Sequence, residues 1–137
     1  MIGAVLDTNV VVSALLNPTG PTASILDLAA RLRFRCYVSR EILEEYRDVL
    51  GRPYLGLNEI EVHRSTKRLE RSAVMVEPRR RLQVCIDPDD DIFLECALEA
   101  RSNYIVTGNA RHYPTRFQDI RVILPRQFLT VLAAEPR

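Results

Sequence analysis

The sequence predicts an α/β fold built on a parallel sheet, and three observations lead to that prediction. Short apolar runs of strand length recur at Ile2–Leu6, Cys36–Val38, Tyr104–Val106 and Arg121–Leu124. Stretches with helical spacing separate them, and strands joined through helices form parallel sheets with right-handed crossovers. The first run, moreover, is hydrophobic throughout, without the in/out alternation of a half-exposed strand. Such a strand belongs at the centre of a sheet covered on both faces.

The elements follow in order. Ile2–Leu6 is the first strand and ends at Asp7-Thr8-Asn9. Val10–Leu16 reads as a short helix capped by Thr8 or Asn9 and stopped by the turn Asn17-Pro18-Thr19-Gly20-Pro21. A second helix runs from about Thr22 to Leu32, with Ile25, Leu28, Ala29 and Leu32 on one face. After the strand Cys36–Val38, Ser39 caps a helix to Leu50 with Glu41 in its first turn, where the dipole favours an acid. Gly51-Arg52-Pro53 ends that helix. Asn58-Glu59-Ile60-Glu61 resembles a capping box and opens a charged helix to Ser72. Val74–Val76 is a short strand candidate, and Pro78-Arg79-Arg80-Arg81 is a basic turn. Asp87-Pro88-Asp89 leads into a helix ending near Arg101, with Asp89 as its expected cap. Tyr104–Val106, Arg121–Leu124 and a terminal helix Gln127–Ala133 complete the set.

Composition bounds the function. The chain has 137 residues, 47% hydrophobic and 27% charged, which suits one folded domain, 1–137, and excludes a disordered chain. Lys+Arg is 19 against Asp+Glu 18. Any nucleic-acid contact must therefore come from a local basic patch. Three cysteines, Cys36, Cys85 and Cys96, show no CxxC spacing, which points to reduced thiols and a cytoplasmic setting. The N-terminus lacks the pattern of a secretion signal, and no apolar stretch reaches the ~18 residues that cross a membrane.

Ligands of open parallel sheets bind beyond the carboxyl ends of the strands. Asp7 follows the first strand, and Thr107-Gly108-Asn109 follows Tyr104–Val106. Helix geometry places two more acids. Against the apolar stripe Ile42, Leu43, Tyr46, Val49 and Leu50, Glu45 lies on the flank while Glu44 and Asp48 point to water. Against Ile92, Phe93, Cys96, Ala97 and Ala100, Asp90 falls at the edge in the first turn, and Asp91 and Glu95 point outward. Asp7, Glu45, Asp90 and Asn109 can thus converge. Three carboxylates in one cleft raise one another's pKa, and a hard divalent cation such as Mg²⁺ or Mn²⁺ relieves that repulsion. Such a site suits hydrolysis of a phosphodiester. Each residue also has a plainer reading: Asp7-Thr8-Asn9 as a turn and cap, Glu45 as a solvated helix acid, the aspartates of 87–91 as an N-cap with dipole-favoured acids, and Thr107–Asn109 as a turn. The joint pattern favours a site.

Four segments then resemble a known family. LDTNV at Leu6–Val10, SREILEEYRDVL at Ser39–Leu50, DPDDDIFLECALEA at Asp87–Ala100 and IVTGN at Ile105–Asn109 are similar to the PIN domain. The likeness is greatest to the prokaryotic PIN-family toxins of toxin–antitoxin pairs, and extends to the tail RVILPRQFLTVL at Arg121–Leu132. It implies a three-layer α/β/α sandwich and a metal-dependent ribonuclease, with Mg²⁺ or Mn²⁺ on Asp7, Glu45 and Asp90. Asn109 takes the family's fourth position, commonly Asp, so one negative charge is missing and a strict two-metal mechanism is in doubt. Thr8 and Thr107 match positions that support the acids by hydrogen bonds. The resemblance also implies a homodimer and a small antitoxin whose segment occupies the cleft.

Arg79, Arg80 and Arg81 form one candidate patch for RNA phosphates; Arg64, Lys67, Arg68 and Arg71 form another. Tyr54, Tyr104 and Tyr113 could stack bases, with core packing the stronger expectation for Tyr104. Three rival readings stand beside the nuclease. A haloacid-dehalogenase-type phosphatase wants a second Asp where Asn9 stands, and a receiver domain wants a late Lys where the only Lys is Lys67. A non-catalytic RNA- or partner-binding module is favoured by Asn109 alone.

Overall fold

The computed structural model describes residues 1–136. Six strands form one sheet: β1 (Gly3–Leu6), β2 (Arg35–Val38), β3 (Val74–Met75), β4 (Tyr104–Val106), β5 (Arg116–Phe117) and β6 (Ile120–Ile123). Their order is β3-β2-β1-β4-β6-β5, and every pairing is parallel except β5 with β6. The helices are α1 (Thr8–Leu16), α2 (Pro21–Ala30), α3 (Arg40–Leu50), α4 (Glu59–Ser72), α5 (Asp91–Ala100) and α6 (Pro125–Ala134). They flank the sheet, and the architecture is the mixed α/β fold that the sequence predicts.

The uninterrupted apolar run explains why β1 is central. All four of its residues are buried, and it is hydrogen-bonded to β2 on one side and β4 on the other. α5 lies directly on β1, β2 and β4, with Phe93, Leu94, Cys96 and Ala97 as its buried face. Phe128 of α6 is fully buried and meets Phe34 edge-on, ring centroids 4.9 Å apart. Tyr104 joins it at 6.0 Å, as core packing requires.

Several local expectations need correction. The cap of α1 is Asp7, whose carboxylate accepts from the Asn9 N–H, and not Thr8 or Asn9. Asp87, not Asp89, caps the 3-10 turn Pro88–Asp90 that precedes α5. Strand β5 carries no apolar run and is held only by its tight antiparallel return to β6, so nothing in its two residues announces it. Asp91 and Glu95, expected to face water, are buried at 6% exposure each. The reason is a strap, residues 79–86, that lies over the polar side of α5. Asp91 Oδ1 accepts from the N–H groups of Val84 and Cys85 at 3.1 and 2.9 Å. Glu95 accepts from the Leu82 N–H at 2.9 Å and from Arg81 at 3.1 Å. Glu99 takes Arg79 in a two-pronged pair, and also its N–H. Acids at i, i+4 and i+8 thus grip the incoming strap; a stripe analysis of the helix alone treats that side as solvent.

Candidate active site

The register of the central strands assembles the site. Leu6 lies beside Val106, so the residues that follow, Asp7 and Thr107, emerge together at the carboxyl ends of β1 and β4. The Asp7 N–H donates to the Val106 carbonyl at 3.0 Å, which continues the ladder one step beyond the strands. Asp7 is 5% exposed. Its Oδ2 accepts from the Thr107 hydroxyl at 2.9 Å and from the Tyr113 hydroxyl at 3.0 Å.

Thr107, fully buried, is the hub of this corner. Its oxygen also accepts from Asn9 Nδ2 at 3.2 Å and from the Asn109 N–H at 3.0 Å. Asn9 Oδ1 accepts in return from the Gly108 N–H at 2.9 Å, so Asn9 clasps the turn after β4 from both ends. This turn is no idle connection: its Thr107 hydroxyl holds Asp7, while its Gly108 and Asn109 N–H groups hold Asn9 and Thr107 in place.

Glu45 reaches the site from α3. The Tyr46 hydroxyl donates to the Leu6 carbonyl, docking that helix against the last residue of β1. The Thr8 hydroxyl then donates to Glu45 Oε2 at 3.2 Å. Glu45 is half-buried while Glu44 and Asp48 are exposed, as the stripe geometry predicts. Asp90, at the head of α5, faces the same negative field. Burial first, then the charges of Asp7, Asp87, Asp89 and Glu45, push its carboxyl up to about 7. The same surroundings raise the Tyr113 hydroxyl, burial foremost, and keep it the proton donor to Asp7. His112 faces Asp90, its Nδ1 3.9 Å from Asp90 Oδ2.

Asn109 contributes its N–H to Thr107, and its side chain is exposed at the rim. A cavity of about 410 Å³ lined by Thr8, Asn9 and Glu45 with Val12, Leu16 and Val49 borders the acids. A larger depression of about 850 Å³ between α2 and α4 is remote from them and carries no part of this chemistry.

Oxygen donors under mutual repulsion fit a hard divalent cation by their chemistry. As the side chains lie, no three of the His, Cys, Asp and Glu groups among the described residues are close enough to share one ion. The acids share a field without forming a finished coordination shell.

The basic patches are largely spoken for. Arg79 is paired with Glu99, and Arg81 with Glu95 and Glu41. Arg80 is exposed and has no carboxylate partner among the described residues. On α4, Arg64, Lys67 and Arg68 face Glu61, Glu70 and Asp27. Three residues escaped the sequence reading: Asn9, His112 and the hydrogen-bonding role of Tyr113. In the sequence His112 and Tyr113 merely follow the turn Thr107–Asn109, and Asn9 reads as a cap beside Asp7.

Comparison with known proteins decides the family. The family model described as the PIN domain matches residues 3–111, which contain every acid of the cluster and the turn after β4. The chain belongs to the PIN domain family. The uncharacterized protein MJ1680 of Methanocaldococcus jannaschii is 36% identical to this PIN domain over 116 aligned positions, covering 79% of the chain and 71% of that relative. A solved structure described as VapBC2 from Rickettsia felis bound to a DNA fragment from their promoter matches its fold with a TM-score of 0.57. That likeness covers 90% of this chain and 98% of the other at 15% identity.

No helix among the described residues is long and apolar enough to cross a membrane.

Proposed function

We propose that this PIN domain is an Mg²⁺- or Mn²⁺-dependent endoribonuclease that hydrolyses phosphodiester bonds of RNA, acting in the cytoplasm as the toxin of a toxin–antitoxin pair. The observation that carries the reading is the uncompensated acid field: Asp90 is held near neutrality by burial and by four other carboxylates, Asp7 and Glu45 among them. Carboxylates crowded in this way repel one another, and a divalent ion would compensate that repulsion.

Asp7, Glu45 and Asp90 would hold the ion. When bound, it supplies Lewis acidity to the scissile phosphate and a lowered pKa for its water. The chain's own groups do the rest. Thr107 and Tyr113 aim Asp7 Oδ2 and leave Oδ1 turned to the cleft, where it has only a long contact with the Asn9 N–H at 3.5 Å. Thr8 holds one oxygen of Glu45 and leaves the other free to orient a water. The Asn109 amide, exposed at the rim, can donate to a phosphate oxygen or accept from a water. Arg80 is the basic side chain of its turn best placed to meet a phosphate.

The toxin assignment rests on the resemblance of the four motifs and gains support from the fold shared with the VapBC2 structure. By that likeness the partners are a small antitoxin and a second copy of this chain. Asn109 favours a second reading, a non-catalytic RNA- or partner-binding module. The test is cleavage of a single-stranded RNA with MnCl₂, MgCl₂ or EDTA. Cleavage that needs the metal and disappears in Asp7→Asn and in Asp90→Asn supports the nuclease. RNA binding without cleavage under every metal would establish the module.

A further inference from the structure

Strand β5 turns straight back into β6, and the register sets Arg116 directly opposite Arg121. One step along, the Val122 N–H donates to the Thr115 carbonyl at 3.2 Å, so that pair is a hydrogen-bonded one. Pair types alternate along an antiparallel ladder, which makes Arg116 and Arg121 a non-hydrogen-bonded pair. Pairs of that type bring their Cα atoms to about 4.5 Å and their side chains closest together. Like charges placed directly opposite destabilise a sheet.

Both arginines are exposed, and no carboxylate neutralises the pair. Asp119 Oδ1 stands 4.0 Å from the Arg116 guanidinium, beyond hydrogen-bond distance, on a side chain wholly in water. Arg116 Nε donates instead to the Gln118 carbonyl at 3.0 Å, across a hairpin tip where Gln118 takes a φ of 52°. That bond fixes the guanidinium and leaves its terminal nitrogens to an outside acceptor. Arg121 has no carboxylate partner among the described residues.

The pair is also tied to the acid cleft. Tyr113, three residues before Arg116, donates to Asp7. Arg121 lies beside Tyr104 of β4, and Ile123 beside Val106 and hence Leu6. Asp7 is thus three residues along and two strands across from Arg121. At about 3.3 Å per residue and 4.8 Å per strand, their backbones are about 14 Å apart.

We propose that Arg116 and Arg121 together grip one phosphate of the RNA strand, a few nucleotides from the bond that is cut. This deepens the reading above and rests on it for the ligand, RNA. Planar guanidinium forks meet phosphate oxygens in pairs. A phosphate held between the two also removes the repulsion that the bare pair suffers.

The test uses the full chain in EDTA and a short single-stranded RNA carrying fluorescein, and reads anisotropy at several salt concentrations. Arg116→Gln and Arg121→Gln should each raise the dissociation constant about fivefold or more, and flatten its logarithmic salt slope by about 0.7, the share of one phosphate. Because one phosphate is shared, the double variant should be no more than about twofold worse than the weaker single. Arg33→Gln, near the amino end of β2, should change binding by less than about twofold. The unliganded Arg121→Gln should melt no lower than the wild type, since one of two like charges is gone. Singles no weaker than Arg33→Gln, or two effects that simply multiply, overturn the shared phosphate, as does a lower melting temperature in Arg121→Gln. Metal-dependent cleavage beside such a result leaves the nuclease standing without this pair. Binding lost as expected, in a wild type that cuts under no metal, leaves the pair standing and sinks the nuclease.

Discussion

The Tyr113 hydroxyl donates to Asp7 Oδ2 at 3.0 Å, joining residues 106 positions apart in the chain. The bond is buried, and its acceptor is the acid at the end of the central strand. Replacing Tyr113 by Phe removes the donor and leaves Thr107 as the partner of that oxygen. Chemical denaturation should show a loss of about 1–2 kcal/mol, the usual cost of a buried charge-assisted bond. RNA cleavage should fall about tenfold or more while circular dichroism is unchanged, because a freed carboxylate no longer presents Oδ1 to the cleft.

Asp90 makes stability depend on pH in an unusual direction. Its folded pKa of about 7 lies above its unfolded value, so between roughly pH 4 and pH 7 the folded state holds the extra proton. Stability contributed by this group is present at low pH and is lost as pH rises through 7. In EDTA, Asp90→Asn should therefore be more stable than the wild type at pH 8, by on the order of 2 kcal/mol once the water still reaching the carboxyl is allowed for. The advantage should shrink toward pH 5. Adding MnCl₂ at pH 8 should raise the melting temperature of the wild type and not of Asp90→Asn. Parallel curves for the two proteins from pH 5 to pH 8 would contradict the burial of that charge.

The three acids of α5 that grip the strap are unequal. Glu95 is buried, and Glu95→Ala strands the Leu82 N–H and leaves Arg81 with Glu41 alone, so a loss of about 2–4 kcal/mol is expected by urea denaturation. Limited proteolysis should then cut near residues 79–86. The Arg79 to Glu99 pair sits at the surface, with the Arg79 side chain 84% exposed, and Arg79→Ala should change stability by less than about 1 kcal/mol.

The arginines of that turn also separate by function. Arg80→Glu should weaken RNA binding and flatten its salt dependence by about one phosphate contact. Arg79→Glu and Arg81→Glu act mainly on the strap, since their charges already meet carboxylates. Filter binding at two salt concentrations distinguishes the two kinds of effect.

Much of this molecule is legible in its sequence. The unbroken apolar run before Asp7 suffices to place β1 at the sheet's centre, and the stripe of α3 separates Glu45 from Glu44 because one face of that helix packs and the other meets water. The same arithmetic fails for Asp91 and Glu95. A helical period reports burial against an apolar layer, and is blind to a polar side covered by a loop whose backbone N–H groups need acceptors. His112, Tyr113 and Asn9 elude it for a related reason: their contacts cross about one hundred positions or lie within irregular turns, where no periodicity exists.

The strand order has a consequence for synthesis. β1 pairs with β2, which follows soon after, and with β4, which begins only at Tyr104. Until that later segment leaves the ribosome, one edge of the innermost strand is bare and Asp7 lacks both hydroxyls that orient it. Long-range parallel pairing of this kind is slow to form. In a growing polypeptide the corner around Asp7 therefore stays open until Thr107 and Tyr113, a hundred residues later, have been made.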